Sequence, residues 1–241
     1  MFDSPDFDGH ERVVHARDAT SGLTAIIAIH STALGPAFGG CRIWPYRSAD
    51  DALRDALRLS RGMTYKSAIC KLPYGGGKSV VIADPRTDKT PALMRAMGHL
   101  VESLAGRYIV ADDVGTTLED LRLMREETSH TAAATPAAQA DLPATAHGVF
   151  AALRAAARHT LGREDLAGLR VAVQGLGNVG LPLCRLLAAA GATLVISDVD
   201  PARVTKVLAE VSATAESAPI AAATTAAPSS GVAPGTPTAA R

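Results

Sequence analysis

The chain has 241 residues, enough for one or two domains with a buried core. Its 24 acidic and 24 basic residues balance, so no overall charge attracts nucleic acid or an anionic membrane. No apolar run reaches the roughly 18 residues that a membrane span needs, and the N-terminus lacks the features of a secretion signal. The three widely spaced cysteines fit neither a disulfide framework nor a CxxC metal site. We therefore expect a cytoplasmic protein without membrane or nucleic-acid partners.

Strand-like and helix-like segments alternate through the first half of the chain. Residues 23–30 are an isoleucine-rich apolar run, which predicts a buried strand. Glycines at Gly35-Pro36 and Gly39-Gly40 predict turns after it. Ser48 resembles a helix cap, and the apolar spacing beyond it predicts a helix from about Ala49 into the low sixties.

The next segment contains three consecutive glycines, residues 75–77, which predict a turn, followed by a β-branched run at 79–83 that predicts a strand. Further caps and apolar runs predict, in chain order, a helix from Pro91, a strand at 107–111 and a helix opened by Thr117. Alternation of this kind is typical of an α/β domain.

Residues 131–143 are rich in alanine, threonine and proline and lose their periodicity, which predicts a hinge. We place the first domain at 1–142 and a second at 143–212, where strand, turn, helix and strand form one βαβ unit of a partial Rossmann-type domain. In residues 213–241, 25 of 29 residues are Ala, Thr, Pro, Ser or Gly, so we predict a disordered low-complexity tail.

A GxGxxG motif follows the first strand of this second domain. Gly175 permits a tight turn, Gly177 lets the backbone approach a pyrophosphate, and Gly180 lets the next helix pack against the strand. Asp198 ends the following strand, where a carboxylate can accept hydrogen bonds from ribose hydroxyls and repel a 2′-phosphate. The pattern favours NAD over NADP, although Arg203 nearby weakens that preference.

Lys78 follows the triple glycine, and Lys66 lies 12 residues earlier. Leu72 stands where a phosphate-binding loop requires glycine, so that loop is excluded. Two ammonium groups facing one cleft lower each other's pKa, so one could act as a general base while the other holds a carboxylate. Asp113 follows an apolar strand and could orient an amino group. Taken singly, these are ordinary surface charges, and only the glycine frame and the pairing make Lys78 a candidate base.

Six motifs together carry a resemblance to a known family: LGPAFGGCR at 34–42, RGMTYK at 61–66, LPYGGGKSVVIADPR at 72–86, GRYIVADDVGTT at 106–117, PATAHGV at 143–149 and VQGLGNVG at 173–180. In this order they resemble the leucine, phenylalanine and valine dehydrogenase branch of the amino-acid dehydrogenases, with the leucine-type members most similar. The resemblance extends over about residues 7–211.

The resemblance implies an NAD-dependent enzyme that oxidatively deaminates a small apolar, branched-chain L-amino acid to its 2-oxo acid and ammonium. Hydride passes from the substrate Cα to the nicotinamide, and Lys78 activates the water that attacks the resulting iminium. Asp113 assists at the amino group and Lys66 binds the substrate carboxylate. The remaining substrate residues are Phe38, Gly39, Gly40 and Met63. The cofactor residues are Thr145, Gly175, Gly177, Asn178, Val179, Gly180 and Asp198. The resemblance implies no metal, and it implies a homo-oligomer.

The chain departs from the family pattern in ways that leave alternatives open. Phe38 is bulkier than the aliphatic residue of leucine-type members, which favours a smaller substrate. The family also continues well beyond residue 211, where this chain has only its Ala/Thr/Pro tail. One alternative is therefore a truncated, non-catalytic remnant that folds or oligomerises without activity. A second is an NAD-binding module with an unrelated substrate.

Overall fold

The computed structural model describes residues 4–132, 144–211 and 215–218. The chain divides into two compact units, residues 1–140 and 141–241. The domain boundary expected after residue 142 lies outside the described residues and stays a prediction. Within the described ranges, no helix is long and apolar enough to cross a membrane, and no three His, Cys, Asp or Glu side chains form a group that could hold a metal ion.

The first unit is built on one mixed five-stranded sheet. Its strands are β1 (Arg12–Asp18), β2 (Leu23–Ser31), β3 (Ala37–Trp44), β4 (Gly75–Ile82) and β5 (Tyr108–Asp112), in the spatial order β1-β2-β4-β3-β5. The β1–β2 and β2–β4 pairs are antiparallel. The β3–β4 and β3–β5 pairs are parallel, so the carboxyl ends of these three strands lie at one edge. The predicted α/β fold is confirmed.

Three helices cover the two faces of this sheet: α1 (Ala49–Ile69), α2 (Pro91–Glu102) and α3 (Leu118–Arg125). Apolar residues of α1 pack with Ile26, Ala28 and Val80 on one face, while those of α2 and α3 form the larger core on the other. Because side chains alternate along a strand, Lys78 shares the α1 face with Val80. The sheet is therefore covered on both faces, as its apolar central strands require.

The predicted helix starts are confirmed by their caps. The Ser48 hydroxyl accepts a hydrogen bond from the N–H of Asp51 at 3.1 Å, and Thr117 and Asp120 form a reciprocal capping box. Helix α1 continues to Ile69, well past its predicted end. Gly62 and the β-branched Thr64 do not stop it, because packing against the sheet outweighs their weak helix propensity.

The two glycine turns predicted at Gly39-Gly40 and at residues 75–77 are wrong. All five glycines lie inside paired strands, and Lys78 is the fourth residue of β4 rather than a residue at the start of a strand. They are there because neighbouring atoms come too close for a side chain. A Cβ on Gly76 would lie 2.1 Å from Oγ1 of Thr64 on α1. The glycines thus bring helix and strands into unusually close contact.

The second unit contains a three-stranded parallel sheet, β6-β7-β8. In chain order its elements are α4 (Ala144–Leu161), β6 (Arg170–Gln174), α5 (Gly180–Ala189), β7 (Thr193–Ser197), α6 (Pro201–Val211) and β8 (Ala215–Ser217). The predicted βαβ unit is confirmed. The prediction of disorder is wrong for β8, which pairs with β7. Strand pairing uses the backbone N–H and C=O groups, so an alanine-rich and threonine-rich composition does not prevent it. The rest of the predicted tail is outside the described residues.

Candidate active site

Lys78 is a buried cation in direct contact with a carboxylate. Only 5% of the residue is exposed, and its Nζ donates a hydrogen bond to Oδ2 of Asp113 at 2.5 Å. Asp113 directly follows β5, at the carboxyl edge of the parallel strands, and β5 and β4 lie on either side of β3, so the two residues that the sequence singled out meet across β3. A buried charge is tolerable only when it is paired in this way.

Gly40 on β3 leaves the space in which this pair sits. A Cβ there would lie 2.7 Å from the Cβ of Asp113 and 3.1 Å from Nζ of Lys78. The carbonyl oxygen of Asp112 would also lie at 2.7 Å, and contacts below 3.0 Å are essentially never seen for real Cβ atoms, so a side chain at this position would displace the backbone of Asp112 or the side chain of Asp113. Gly39 has a different task, since its Cβ would meet the backbone of Gly77 on the adjacent strand. Gly40 thus leaves space for the Lys78–Asp113 pair, and Gly39 allows β3 and β4 to lie close together.

The electrostatics lower the pKa of both Lys78 and Asp113 relative to their ordinary values. Burial lowers the pKa of Lys78, the positive charge of Arg42 lowers it further, and Asp113 opposes them without offsetting them. Burial alone would raise the pKa of Asp113, but the charges of Lys78 and Arg42 outweigh it and leave that pKa below its ordinary value. The second cation acting on Lys78 is thus Arg42, where the sequence predicts Lys66.

The loop after β5 is held in a defined conformation. The N–H of Asp113 donates to Oγ1 of Thr116 at 2.8 Å, and that hydroxyl lies 2.8 Å from the carbonyl of Cys41, to which it donates. Gly115 has a φ of +84°, and a Cβ there would also strike the carbonyl of Ile43. The position of the Asp113 backbone is therefore set by β3, the same strand that carries Gly40.

The other predicted substrate residues lie on the elements around this pair. Phe38 is on β3, and its ring packs against that of Tyr74 with the centroids 5.2 Å apart. Met63 is half-buried and Lys66 exposed, both in the second half of α1. The substrate roles of Lys66 and Met63 stay predictions.

The glycine-rich turn of the second unit has the geometry that its motif predicts. Gly175 has a φ of +89°, and a Cβ on Gly180 would lie 1.8 Å from the carbonyl oxygen of Gly175, so α5 approaches β6 as closely as a glycine allows. Helix α5 begins after Val179 without any side-chain cap, which leaves its first N–H groups for a ligand. Asn178 and Val179 are exposed on this turn, and Thr145 is exposed in the first turn of α4.

Asp198 is more enclosed than the sequence suggested. Its carboxylate, 3% exposed, accepts hydrogen bonds from the N–H groups of Leu176 at 2.6 Å and Asp200 at 2.8 Å. These bonds, the one from Leu176 first, lower the pKa of Asp198. Arg203 approaches the same carboxylate at 3.8 Å and lies over Gly177. Asp198 therefore ties the glycine-rich turn to the end of β7, with a cation beside it.

Models of two consecutive domains of one family match the chain. Residues 10–130 match the Glu/Leu/Phe/Val dehydrogenase dimerisation domain, and residues 138–204 match the glutamate, leucine, phenylalanine and valine dehydrogenase domain. The chain belongs to this dehydrogenase family. The resemblance drawn from the motifs is confirmed, and an NAD-binding module outside the family is no longer supported.

Relatives in this family are similar in sequence but longer. The chain is 48% identical over 209 residues to a leucine dehydrogenase of Geobacillus stearothermophilus, covering 86% of this chain and 57% of the relative. It is 48% identical over 195 residues to an L-tryptophan dehydrogenase of Nostoc punctiforme, with 81% and 55% covered. The chain thus spans a little over half the length of the curated relatives it matches.

Solved structures agree with the fold. The crystal structure of the Nostoc punctiforme L-tryptophan dehydrogenase aligns with a TM-score of 0.63 at 46% identity, covering 87% of this chain and 59% of that one. The hetero-hexameric glutamate dehydrogenase of Thermus thermophilus, in its leucine-bound form, aligns with a TM-score of 0.68 at 23% identity, with 84% and 56% covered. At that identity the second likeness concerns the fold alone.

The residues that surround the Lys78–Asp113 pair were not among the predicted site residues. Arg42 directly follows the Gly39-Gly40-Cys41 segment, and its guanidinium contacts both Asp113 and Asp55. Its position two residues after Gly40 was a usable signal, because residues two apart on a strand face the same side. Its partners could not be deduced, since neither lies near it on its own strand.

Proposed function

We propose that the chain carries the catalytic residues of an NAD-dependent dehydrogenase that converts a small apolar, branched-chain L-amino acid into its 2-oxo acid and ammonium. The observation that carries the proposal is the buried Lys78–Asp113 pair beside Gly40, in a chain nearly half identical to leucine dehydrogenases. A buried amine with a lowered pKa and a permanent carboxylate partner is suited to general-base chemistry near neutral pH.

In this proposal Lys78 acts as the base that activates water for attack on the oxidised substrate. Its burial removes competing solvent and raises the fraction of free amine. Asp113 remains ionised and orients the substrate amino group, while Lys66 binds the substrate carboxylate as a point charge. The absence of a side chain at Gly40 lets the substrate Cα approach the pair closely.

The second unit fits a dinucleotide. Helix α5 begins without a side-chain cap, and the uncapped N–H groups there suit a pyrophosphate, with the Arg203 guanidinium near Gly177. When bound, NAD supplies the hydride acceptor. The chain's own residues Gly175, Gly177 and Gly180 shape the turn, Asn178 and Val179 border it, and Thr145 is proposed as a further contact.

NAD is expected to bind at least about tenfold more tightly than NADP, because the Asp198 carboxylate repels a 2′-phosphate. Arg203, with 53% of its side chain exposed, counteracts this repulsion. Arg203→Ala should therefore widen the preference for NAD, and Asp198→Asn should narrow it. Calorimetric titration of both dinucleotides into each variant measures the ratio, and equal widening by both substitutions would contradict the assignment.

Phe38 is proposed as a wall of the pocket for the substrate side chain. Phe38→Leu should raise the ratio of kcat/KM for L-leucine over L-valine by about fivefold or more, since one methylene in an apolar pocket is worth about 1–3 kcal/mol. Initial rates with both amino acids test this. An unchanged ratio would remove Phe38 from the substrate pocket.

The alternative left open by the sequence is a member of this family that folds or assembles without turnover. The two are separated by mixing the purified chain with NAD and L-leucine or L-valine and following the absorbance of reduced nicotinamide. Turnover supports the dehydrogenase. A folded chain that binds NAD yet reduces none of it supports the alternative.

We also propose that the chain forms a homo-oligomer in the cytoplasm. The match to a dimerisation domain supports assembly through the first unit. The three cysteines, all within the described residues, are free thiols, as is usual in a reducing compartment. Sedimentation of the purified chain reports its oligomeric state.

A further inference from the structure

Five side chains of the first unit form a continuous chain of hydrogen bonds that ends at Lys78. The Tyr46 hydroxyl donates to Oδ2 of Asp55 at 2.6 Å, and Nη1 of Arg42 donates to the same oxygen at 2.8 Å. Nε of Arg42 donates to Oδ2 of Asp113 at 3.0 Å, and Lys78 donates to that oxygen too. These hydrogen bonds connect β3 and the residues that follow it with α1, with the loop after β5 and with β4.

The guanidinium of Arg42 bridges the carboxylates of Asp55 and Asp113. A guanidinium presents its N–H groups in a rigid planar fork, so fixing Nη1 on Asp55 also fixes the direction of Nε towards Asp113. Asp55 is itself held by Tyr46 and by its place in the second turn of α1. The side chains of Arg42, Asp55 and Asp113 are each about three-quarters buried, where such contacts are less screened than on the surface.

Arg42 is also tied to the site by its strand. It lies two residues after Gly40, so both face α1, and Gly40 leaves the space into which Lys78 and Asp113 project. The proposed function assigns chemistry only to Lys78 and Asp113. Without Arg42, one carboxylate oxygen would have Lys78 as its only charged partner, and a tight two-membered ion pair would keep the amine protonated.

We propose that Arg42, anchored by Asp55 and Tyr46, is a positioning residue that shares Oδ2 of Asp113 with Lys78 and thereby keeps Lys78 available as a base. The inference rests on the proposed function for its chemical meaning, but the arrangement itself can be tested without turnover.

The charges around Lys78 determine the sign of the expected effects. Asp113 raises the pKa of Lys78, whereas burial and Arg42 lower it. Cys41 on β3 also acts on Lys78, and burial raises the pKa of its thiol to about 11, so it is neutral near pH 7. Asp55 and Tyr46 reach Lys78 only through Arg42. Removing Arg42 and removing Asp113 must therefore shift the titration of Lys78 in opposite directions.

The test measures the titration of Lys78 directly. The full chain is labelled with a trace of an amine-acylating reagent across a range of pH, and mass spectrometry follows the Lys78 peptide. Arg42→Gln should raise the midpoint by about half a pH unit or more, and Asp113→Asn should lower it by a similar amount. In the Asp113→Asn background, Arg42→Gln should have a clearly smaller effect, since the shared oxygen is gone.

Arg54→Gln is the matched control. Arg54 lines the same cavity of about 560 Å³ as Arg42 and Asp55, but it pairs with Asp6. Its removal should leave the midpoint of Lys78 unchanged. Thermal unfolding of each variant shows whether it is folded, and if Arg42→Gln is not, Arg42→Lys carries the same comparison. Because an ammonium cannot span both carboxylates, its shift should be upward and smaller.

Two results would overturn the proposal. One is a midpoint of Lys78 that is the same in the Arg42 variants as in the Arg54 control. The other is an Arg42→Gln shift of equal size with and without Asp113, which would mean that Arg42 acts by charge alone. A lack of NAD reduction by the chain would count against the proposed function and would leave this result intact.

Discussion

Replacing Lys78 by alanine is expected to lower kcat/KM for amino-acid oxidation by at least about 100-fold, the usual contribution of a general base. The fold should survive, because Oδ2 of Asp113 keeps its hydrogen bond from Arg42 and no carboxylate is left buried without a cation. Initial rates with L-leucine and NAD measure the loss.

Lys78→Arg should not restore the rate, since a guanidinium stays protonated and cannot act as a base. Lys206→Ala is the control, because Lys206 is an exposed lysine on α6 of the other unit and should leave kcat/KM unchanged. Calorimetric binding of NAD should be the same for Lys78→Ala and the unmodified chain. A Lys78→Ala protein that keeps more than about a tenth of the rate would exclude Lys78 as the base.

Gly39→Ala is expected to destabilise the first unit by about 3 kcal/mol or more. Its Cβ would lie 1.7 Å from the carbonyl oxygen of Gly77 and 2.6 Å from the carbonyl carbon, both in the backbone of β4. Strand β3 is paired with β4 on one side and β5 on the other, so it cannot move away from the clash without losing hydrogen bonds. Urea unfolding followed by circular dichroism measures the change.

Gly62→Ala provides the matched control for this experiment. Gly62 lies in α1 with no atom within 4 Å of the position of its Cβ, so alanine should stabilise the helix by up to about 1 kcal/mol. If both substitutions have the same effect, the close approach between β3 and β4 does not exist.

The glycines of β3 and β4 were recognisable in the sequence as important, but their structural role was not. Consecutive glycines are most often turns, so Gly39-Gly40 and residues 75–77 were predicted as turns. In the sheet they permit contacts with residues far away in the chain, such as Thr64 beneath Gly76. Their importance was visible in the sequence, but the reason for it depends on which strands become neighbours.

Lys78 and Asp113 could be selected as candidate site residues because each has a local signal. Lys78 follows three glycines, and Asp113 follows an apolar strand, where α/β proteins place functional groups. Arg42 and Asp55 have no such signal. They meet because α1 crosses the face of the sheet that β3 presents, and the spacing of residues along either element does not determine that crossing.

The sequence by itself determined the alternation of helices and strands, the glycine-rich turn of the second unit and the choice of Lys78 and Asp113 as candidate site residues, because periodicity, caps and motifs are local properties of the chain. Only the tertiary structure decided that the glycines are contact points, that β8 extends the second sheet and that Arg42 is the second cation beside Lys78. These features come from strand pairing and helix packing between distant segments, where the pKa of a buried amine depends on whichever charges the fold brings near it.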